Sequence, residues 1–276
     1  MGFLFGRPAS SAMIVWMGFF AGSVSVFSQP SGPNLPDAPE PAWGALPQPP
    51  PDATRVITWR SLPGDFLHDQ KEIWFAFPDR LAHGHSWVPL VAISAATAGL
   101  IVADKHEMSY FRSHQGQWDD FNDTFDSYIT TGEVVAVPAG LLMAGYLRHD
   151  SREVDTALLA TDAYADSAIV NLAMKAVTRR DRPADIPAPQ PFTNTFFKAQ
   201  LTGSSFPSGH ATAAFSVATV VARRYARKRW VPWLAYGMAT TISLARVPQL
   251  AHFPSDVFLG GVLGYTVARY QVLRPQ

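Results

Sequence analysis

The sequence predicts an all-α protein, a six-helix bundle preceded by a signal peptide and a proline-rich tether. Three observations lead to this prediction: an uncharged apolar run near the N-terminus, a following stretch crowded with proline, and six apolar, alanine-rich segments of helical character in the remainder. The 276 residues are enough for one sizeable core or two small ones.

The first element, residues 1–28, is predicted to be a signal peptide. Arg7 is its only charged residue, and an uncharged apolar run follows at 12–27. Val26 and Ser28 stand at the −3 and −1 positions of a small-residue cleavage site. The alternative is an uncleaved N-terminal anchor, since the run is near the lower length limit for a membrane span. In both cases we expect export to the cell envelope.

Two segments separate this run from the bundle. Residues 29–54 are crowded with proline and poor in aliphatic side chains, so they are predicted to form a disordered linker. Residues 55–86 are predicted to be a peripheral segment. Within it, 65–81 groups aromatic and charged residues, which suits an interfacial amphipathic helix or a helix packed on the end of the bundle.

The six helical segments form a domain predicted at 87–272. A membrane span needs about 20 largely apolar residues, and the continuous uncharged core of each segment falls short of that. A soluble bundle and a bundle of marginal spans both remain open, and membrane contact is slightly favoured. The polar stretch 104–127 is predicted to be a lid or a surface excursion. The segments are 87–103, 129–148, 155–178, 209–226, 231–247 and 255–272.

Composition excludes several function classes. Lys+Arg and Asp+Glu are equal at 22 each, so the chain lacks the basic balance of a nucleic-acid-binding protein. Cysteine is absent, which excludes disulfides, thiolate chemistry and cysteine-based zinc sites. Because the net charge is zero, any bound anion must be held by a local cluster of positive charge. No cofactor is predicted, and the sequence says nothing of the oligomeric state.

The first of three chemical clusters lies at the end of the third segment. Lys175 is still helical, and Arg182 comes just before the helix-ending Pro183. Two such cations could clamp an anion. Alternatively, they could only complement the carbonyl end of the helix, where basic residues are common.

The second cluster opens the fourth segment with Ser208, Gly209 and His210. A glycine at a helix N-terminus presents free backbone N–H groups to an anion. Ser208 adds a hydroxyl donor, and His210 adds a titratable imidazole. The alternative is an ordinary helix cap at Ser208 with His210 in the first turn.

The third cluster comprises Arg246, His252 and Asp256 around a proline-shaped turn. A carboxylate four residues after the histidine can reach back to its ring, and an imidazole bound in this way is the better base or nucleophile. The alternative is a surface histidine beside an aspartate that serves only the helix dipole.

Taken in order, the three clusters resemble the signature of the type 2 phosphatidic acid phosphatase (PAP2) superfamily, which includes bacterial acid phosphatases and vanadium haloperoxidases. The signature reads K-x6-RP, then PSGH, then SR-x5-H-x3-D. The chain matches it from Lys175 to Pro183, at 207–210 and at 246–256, and the resemblance covers about 87–272. It departs at Ala245, where the family has a serine.

The resemblance implies a metal-independent phosphatase that hydrolyses a phosphate monoester or pyrophosphate through a phosphohistidine. It implies that His252 is the nucleophile, oriented by Asp256, and that His210 is the acid and then the base. The phosphate would be bound by Lys175, Arg182, Ser208, Gly209 and Arg246.

A lipid substrate is favoured, such as phosphatidic acid or an isoprenyl pyrophosphate, with the site facing the periplasm at the membrane. The alternatives are a soluble periplasmic acid phosphatase, a vanadium-dependent haloperoxidase and an inactive phospholipid-binding protein.

Overall fold

A computed structural model describes residues 55–84, 86–199 and 203–274. Over these residues the fold is all-α, as the sequence predicted, and contains no β-strand. The predicted signal peptide (1–28) and linker (29–54) lie outside the described residues.

Nine α-helices make up the described part of the chain. Each of the six predicted segments is one helix, and α1 is a seventh helix of ten residues or more, so the predicted count of six is too low. The helices are α1 (Leu62–Lys71), α2 (Phe77–Ala82), α3 (Trp87–Ser113), α4 (Asp119–Thr124), α5 (Ser127–Arg148), α6 (Ser151–Thr178), α7 (Gly209–Arg224), α8 (Trp230–Leu244) and α9 (Pro254–Val267).

Short irregular turns extend or link these helices. A π-helical turn at Glu72–Ala76 joins α1 to α2, and another at Ala268–Val272 continues α9. Single 3-10 turns lie at Gln115–Gln117 and Pro183–Asp185. The stretch predicted as a lid or excursion at 104–127 is therefore largely helical.

Aspartates cap two of the long helices. Asp126 accepts a hydrogen bond from the Tyr128 N–H at 2.8 Å at the start of α5, and Asp150 accepts from the Arg152 N–H at 2.8 Å at the start of α6. Each cap satisfies an N–H group that the helix itself leaves unpaired. The caps explain why α5 and α6 begin a few residues before their apolar segments do.

Helix α7 lies at the centre of the bundle, packed against α5, α6, α8 and α9. Its approach to α9 depends on two glycines. A Cβ atom at Gly260 would lie 2.5 Å from the Ser208 carbonyl oxygen, and one at Gly264 would lie 2.2 Å from that of Thr212. The main core, between α6, α7 and their neighbours, includes Leu158, Leu159, Val217, Val220, Val221 and Ile242.

Two described helical stretches are long and apolar enough to cross a membrane, judged by length and composition alone. They are α3 and the stretch Asp119–Arg148, which contains α5. Within their most apolar windows, only 11% and 22% of the residues are buried. These lengths exceed what the continuous apolar runs in the sequence suggested, and they are consistent with membrane association.

Candidate active site

The N-terminus of α7 carries the second cluster. Ser208 is buried, and its Oγ accepts from the Ala211 N–H at 3.4 Å, which is the capping role left open from the sequence. A hydroxyl can accept with its oxygen and donate its hydrogen at the same time, so capping is compatible with a bond to an anion. Gly209 and His210 follow in the first turn, and the His210 Nε2 lies 3.1 Å from the Thr131 Oγ1.

The two cations of the first cluster lie beside this helix end. The Lys175 Nζ donates to the Ser204 carbonyl at 2.6 Å, and the Arg182 Nε donates to the Gly203 carbonyl at 3.4 Å. Burial and the neighbouring Arg182 lower the pKa of Lys175 to about 8, although Asp256 opposes the shift. Lys175 therefore still carries its charge at neutral pH.

His252 follows α8 on a buried turn, with only 3% of its surface exposed. Its Nδ1 lies 2.8 Å from the Ser205 carbonyl oxygen and 3.7 Å from the Asp256 Oδ2. A carbonyl oxygen can only accept, so Nδ1 carries the proton and Nε2 keeps its lone pair. Burial lowers the pKa of His252, partly offset by Asp256, so the ring is neutral and nucleophilic at pH 7.

Asp256 lies in the first turn of α9, fully buried behind His252. Its Oδ2 accepts from the Phe253 N–H at 2.8 Å, which caps the helix. Burial alone would raise the pKa of Asp256, but the His252 ring and Arg180 outweigh it and leave the pKa below its usual value. The carboxylate is therefore ionised. The predicted reach from Asp256 to His252 exists, yet the Ser205 carbonyl is the nearer partner.

A cavity of about 370 Å³ joins these groups. Five of the eight predicted residues line it, namely Lys175, Arg182, Gly209, His210 and His252. Two others lie directly behind its wall: Ser208 caps α7, and Asp256 supports His252. The rest of the lining includes the largely apolar side chains of Val134, Val135, Tyr164 and Leu172.

Arg246 is the member that the structure does not bring to the cavity. It is completely buried, and its Nη2 donates to the Phe125 carbonyl near the junction of α4 and α5. Burial lowers its pKa to about 10, against the opposing charge of Asp126, so it remains a cation. Its predicted role in phosphate binding stays a prediction.

Comparisons with known proteins agree with the resemblance found in the sequence. Residues 156–275 match the family model of the PAP2 superfamily. The matched region contains all three clusters, from Lys175 to Asp256.

Among solved structures, the chain is similar to a transmembrane PAP2 type phosphatidylglycerolphosphate phosphatase from Bacillus subtilis. The two sequences are 20% identical, and the alignment covers 76% of this chain and 92% of the other, with a TM-score of 0.37. No curated protein matches the sequence significantly.

Sequence reasoning missed a buried arginine that holds Asp256 in place behind the cavity. Arg180 is not among the predicted site residues, but it is 1% exposed and its Nη1 donates to the Asp256 Oδ1 at 2.6 Å. Arg179 is exposed and donates to the Ala199 carbonyl at 3.0 Å. The sequence did offer one signal. Asp256 must be buried to reach His252, and a buried carboxylate needs a cationic partner, for which Arg180 was available.

A second group of buried aspartates lies outside the site, between α1 and α6. Carboxylate oxygens of Asp69, Asp162 and Asp166 lie within 4.8 Å of one another, close enough to hold a metal ion. Arg55 is already placed against this group, paired with Asp69 and 4.0 Å from the Asp162 Oδ2. Burial raises the pKa of Asp162 to about 7 and that of Asp166 to about 8, so protons and Arg55 together balance the charge.

Proposed function

We propose that the chain is a metal-independent phosphatase that cleaves a phosphate monoester or pyrophosphate through a phosphohistidine. The coarser statement, a phosphatase of the PAP2 superfamily, is supported by the family match. The observation that carries the proposal is the single cavity on which His210 and His252 meet Lys175, Arg182 and the N-terminus of α7.

The first step forms a phosphoenzyme. The His252 Nε2 attacks phosphorus, the bond from phosphorus to the leaving oxygen breaks, and His210 gives its proton to that oxygen. Lys175 and Arg182 balance the charge on the non-bridging oxygens, together with the free N–H groups of α7. Such preorganised donors are the largest source of rate enhancement in phosphoryl transfer.

The second step returns the enzyme to its starting state. His210, now neutral, takes a proton from water, and the hydroxide formed attacks phosphorus while the phosphorus–nitrogen bond breaks. His252 leaves as the neutral imidazole, with its proton still on Nδ1 and hydrogen-bonded to the Ser205 carbonyl. The nearby Asp256 carboxylate favours the positively charged phosphoimidazole between the two steps.

A lipid phosphate is the favoured substrate class. The lining of the cavity combines cationic side chains with apolar ones that include Val135 and Leu172, and both of these apolar side chains are more than half exposed. The apolar part of the lining is partly formed by α5, within one of the two stretches long enough to cross a membrane. An acyl or isoprenyl chain would lie against such a lining.

The test is an assay of the full chain with phosphatidic acid, isoprenyl pyrophosphate and p-nitrophenyl phosphate, each with and without EDTA. We expect turnover that EDTA leaves unchanged. His252→Ala should reduce it at least about 1,000-fold, as removal of a nucleophile does elsewhere, while His106→Ala, an exposed histidine on α3, should not.

His210→Ala should accumulate an acid-labile phosphoenzyme with p-nitrophenyl phosphate, because that leaving group needs no acid but the second step still needs a base. Full activity in His252→Ala would overturn the proposal. Bromide oxidation with added vanadate, in place of hydrolysis, would instead favour a haloperoxidase.

A further inference from the structure

Asp104 lies on α3, outside the matched PAP2 region at 156–275, yet it is bound to the rear of that domain. Only 1% of its surface is exposed. Its Oδ1 accepts from the Ser255 N–H at 3.1 Å, and its Oδ2 accepts from the Ser255 hydroxyl at 2.5 Å. The Oδ2 also accepts from the Arg180 Nη2 at 2.7 Å. Both oxygens therefore bind residues next to the catalytic group.

Arg180 connects Asp104 to Asp256. Its Nη1 donates to Asp256 at 2.6 Å and to the Ser255 hydroxyl at 2.7 Å, and the ring of Phe253 covers it at 3.8 Å from the guanidinium carbon to the ring centroid. A guanidinium group is a rigid planar fork, so a carboxylate on one side determines where the other side points. Asp104 thus fixes the position from which Arg180 holds Asp256.

Both groups that face the His252 Nδ1 depend on Arg180. One is Asp256, held by the guanidinium. The other is the Ser205 carbonyl, and the Ser205 N–H donates to the Arg180 carbonyl at 2.8 Å. The side chain and main chain of one residue therefore set both acceptors around the imidazole.

We propose that Asp104 is a positioning residue for His252, acting through Arg180 on Asp256 and Ser205. The buried group of Asp104, Arg180 and Asp256 carries a net charge of −1, which favours the positive imidazole of the phosphoenzyme. This inference rests on the proposed phosphatase activity. It also makes α3 part of the site, although α3 lies outside the family match.

The first test compares Asp104→Asn, which keeps the shape but removes the charge, with Glu107→Gln, an exposed change one turn further along α3. We expect kcat to fall about 10- to 100-fold in Asp104→Asn, the range typical of residues that orient a catalytic group. KM should change less than about threefold, because Lys175 and Arg182 are untouched. Glu107→Gln should match the wild type.

A double-mutant cycle with Arg180→Lys tests the route. If Asp104 acts through Arg180, adding Asp104→Asn to Arg180→Lys should lower kcat much less than it does in the wild type. The proposal would be overturned if the reduction in kcat of the double variant equalled the product of the two single reductions. It would also be overturned if Asp104→Asn had the same kcat as Glu107→Gln. Should Asp104→Asn fail to fold, Asp104→Glu keeps the charge but displaces Arg180, and its kcat should fall at unchanged KM.

The ¹⁵N NMR signal of the His252 ring separates this inference from the proposed function. His252 is surrounded by Lys175, Arg182 and Asp256, and removing the charge of Asp104 should make its imidazolium less stable than in Glu107→Gln. If the wild type is inactive on every phosphate ester, the proposed function is refuted. The inference about Asp104 is then tested by comparing the titration of the His252 ring in Asp104→Asn and Glu107→Gln. Identical titration in the two variants overturns it.

Discussion

Lys175 shows how the environment of one side chain limits the conditions of catalysis. It lines the cavity, and its Nζ donates to the Ser204 carbonyl rather than to a carboxylate. A buried ammonium group without a directly bonded anion loses its proton more easily than one in water. The charge of Lys175 is therefore the part of the proposed phosphate-binding site most sensitive to alkaline pH.

We predict that KM rises as the pH passes about 8, the pKa of Lys175 in the free enzyme. Below that pH the ammonium is charged and binds phosphate; above it the charge is lost, and affinity falls by up to about tenfold per pH unit. The second ionisation of a phosphate monoester, near pH 6, lies below this window.

Steady-state kinetics between pH 7 and 9.5 checks this. Lys175→Arg should flatten the rise in KM, since a guanidinium stays charged throughout. The exposed Lys198→Arg should leave it intact. A wild-type KM that is constant to pH 9.5 would contradict the assignment.

At this scale the sequence indicated side chains that the fold brings to one cavity, but not the groups that hold them in place. One cavity is lined by five of the predicted residues, namely Lys175, Arg182, Gly209, His210 and His252. They could be selected from the sequence because their spacing matches a known family signature. The role of the Ser205 carbonyl could not be predicted, because every residue has a main-chain carbonyl and the sequence does not show which one will face His252. Nothing in the sequence distinguishes Arg179 from Arg180, yet in the fold Arg180 is buried against Asp256 and Arg179 is exposed.

At the scale of elements, the N-terminus of α7 is positioned by its close packing on α9. Gly260 and Gly264 face α7 on successive turns, so the two backbones approach more closely than side chains would allow. The Ser208 N–H also donates to the Asp256 carbonyl at 2.9 Å. The N-terminus of α7, which is proposed to bind the anion, and the carboxylate that supports His252 therefore belong to one contact between helices.

We predict that Gly264→Ala destabilises the protein by about 1–3 kcal/mol, the usual cost of overpacking, because its Cβ would lie 2.2 Å from the Thr212 carbonyl oxygen. Gly237→Ala in α8 is the matched control. Nothing lies within 4 Å of a Cβ there, so alanine should stabilise by about 0.5–1 kcal/mol. Thermal unfolding of the two variants measures the difference, and an equal Tm in both would contradict the close packing.

The lengths of the helices were predicted less accurately from the sequence than their order along the chain. The existence and order of six helices followed from their apolar segments, but α3 runs ten residues past its predicted end at 103. The polar residues there suggested a loop, whereas Asp104 and Met108 are buried against the bundle and keep the helix packed. Polar residues that are satisfied by tertiary partners cannot be told from solvated ones by pattern alone.

At the scale of the whole molecule, the outer faces of the bundle are unusually apolar. On α3, Val88, Val91 and Val102 are each more than half exposed, and on α5 so are Met143 and Leu147. Soluble monomers rarely expose apolar side chains in continuous patches of this kind. Both helices belong to the two stretches long enough to cross a membrane, so lipid is the environment that best accounts for these faces.

The absence of native cysteine allows a direct test, in which single cysteines report the environment of α3. Ala98→Cys lies in the apolar middle of α3 and Glu107→Cys lies towards its polar end, and both positions are exposed in the structure. The protein itself therefore shields neither thiol. Maleimides react with the thiolate, which does not form in hydrocarbon.

In native membranes, we predict that a water-soluble maleimide labels Glu107→Cys and leaves Ala98→Cys unlabelled until the membrane is dissolved and the protein denatured. Phosphatase activity of both variants in the same membranes establishes that the fold is intact. Equal labelling rates in intact membranes, or recovery of the active protein in the soluble fraction, would mean that water surrounds α3. The exposed valines would then require another partner. The proposal of a lipid substrate would also lose its main argument, which is the placing of the apolar cavity lining beside the membrane.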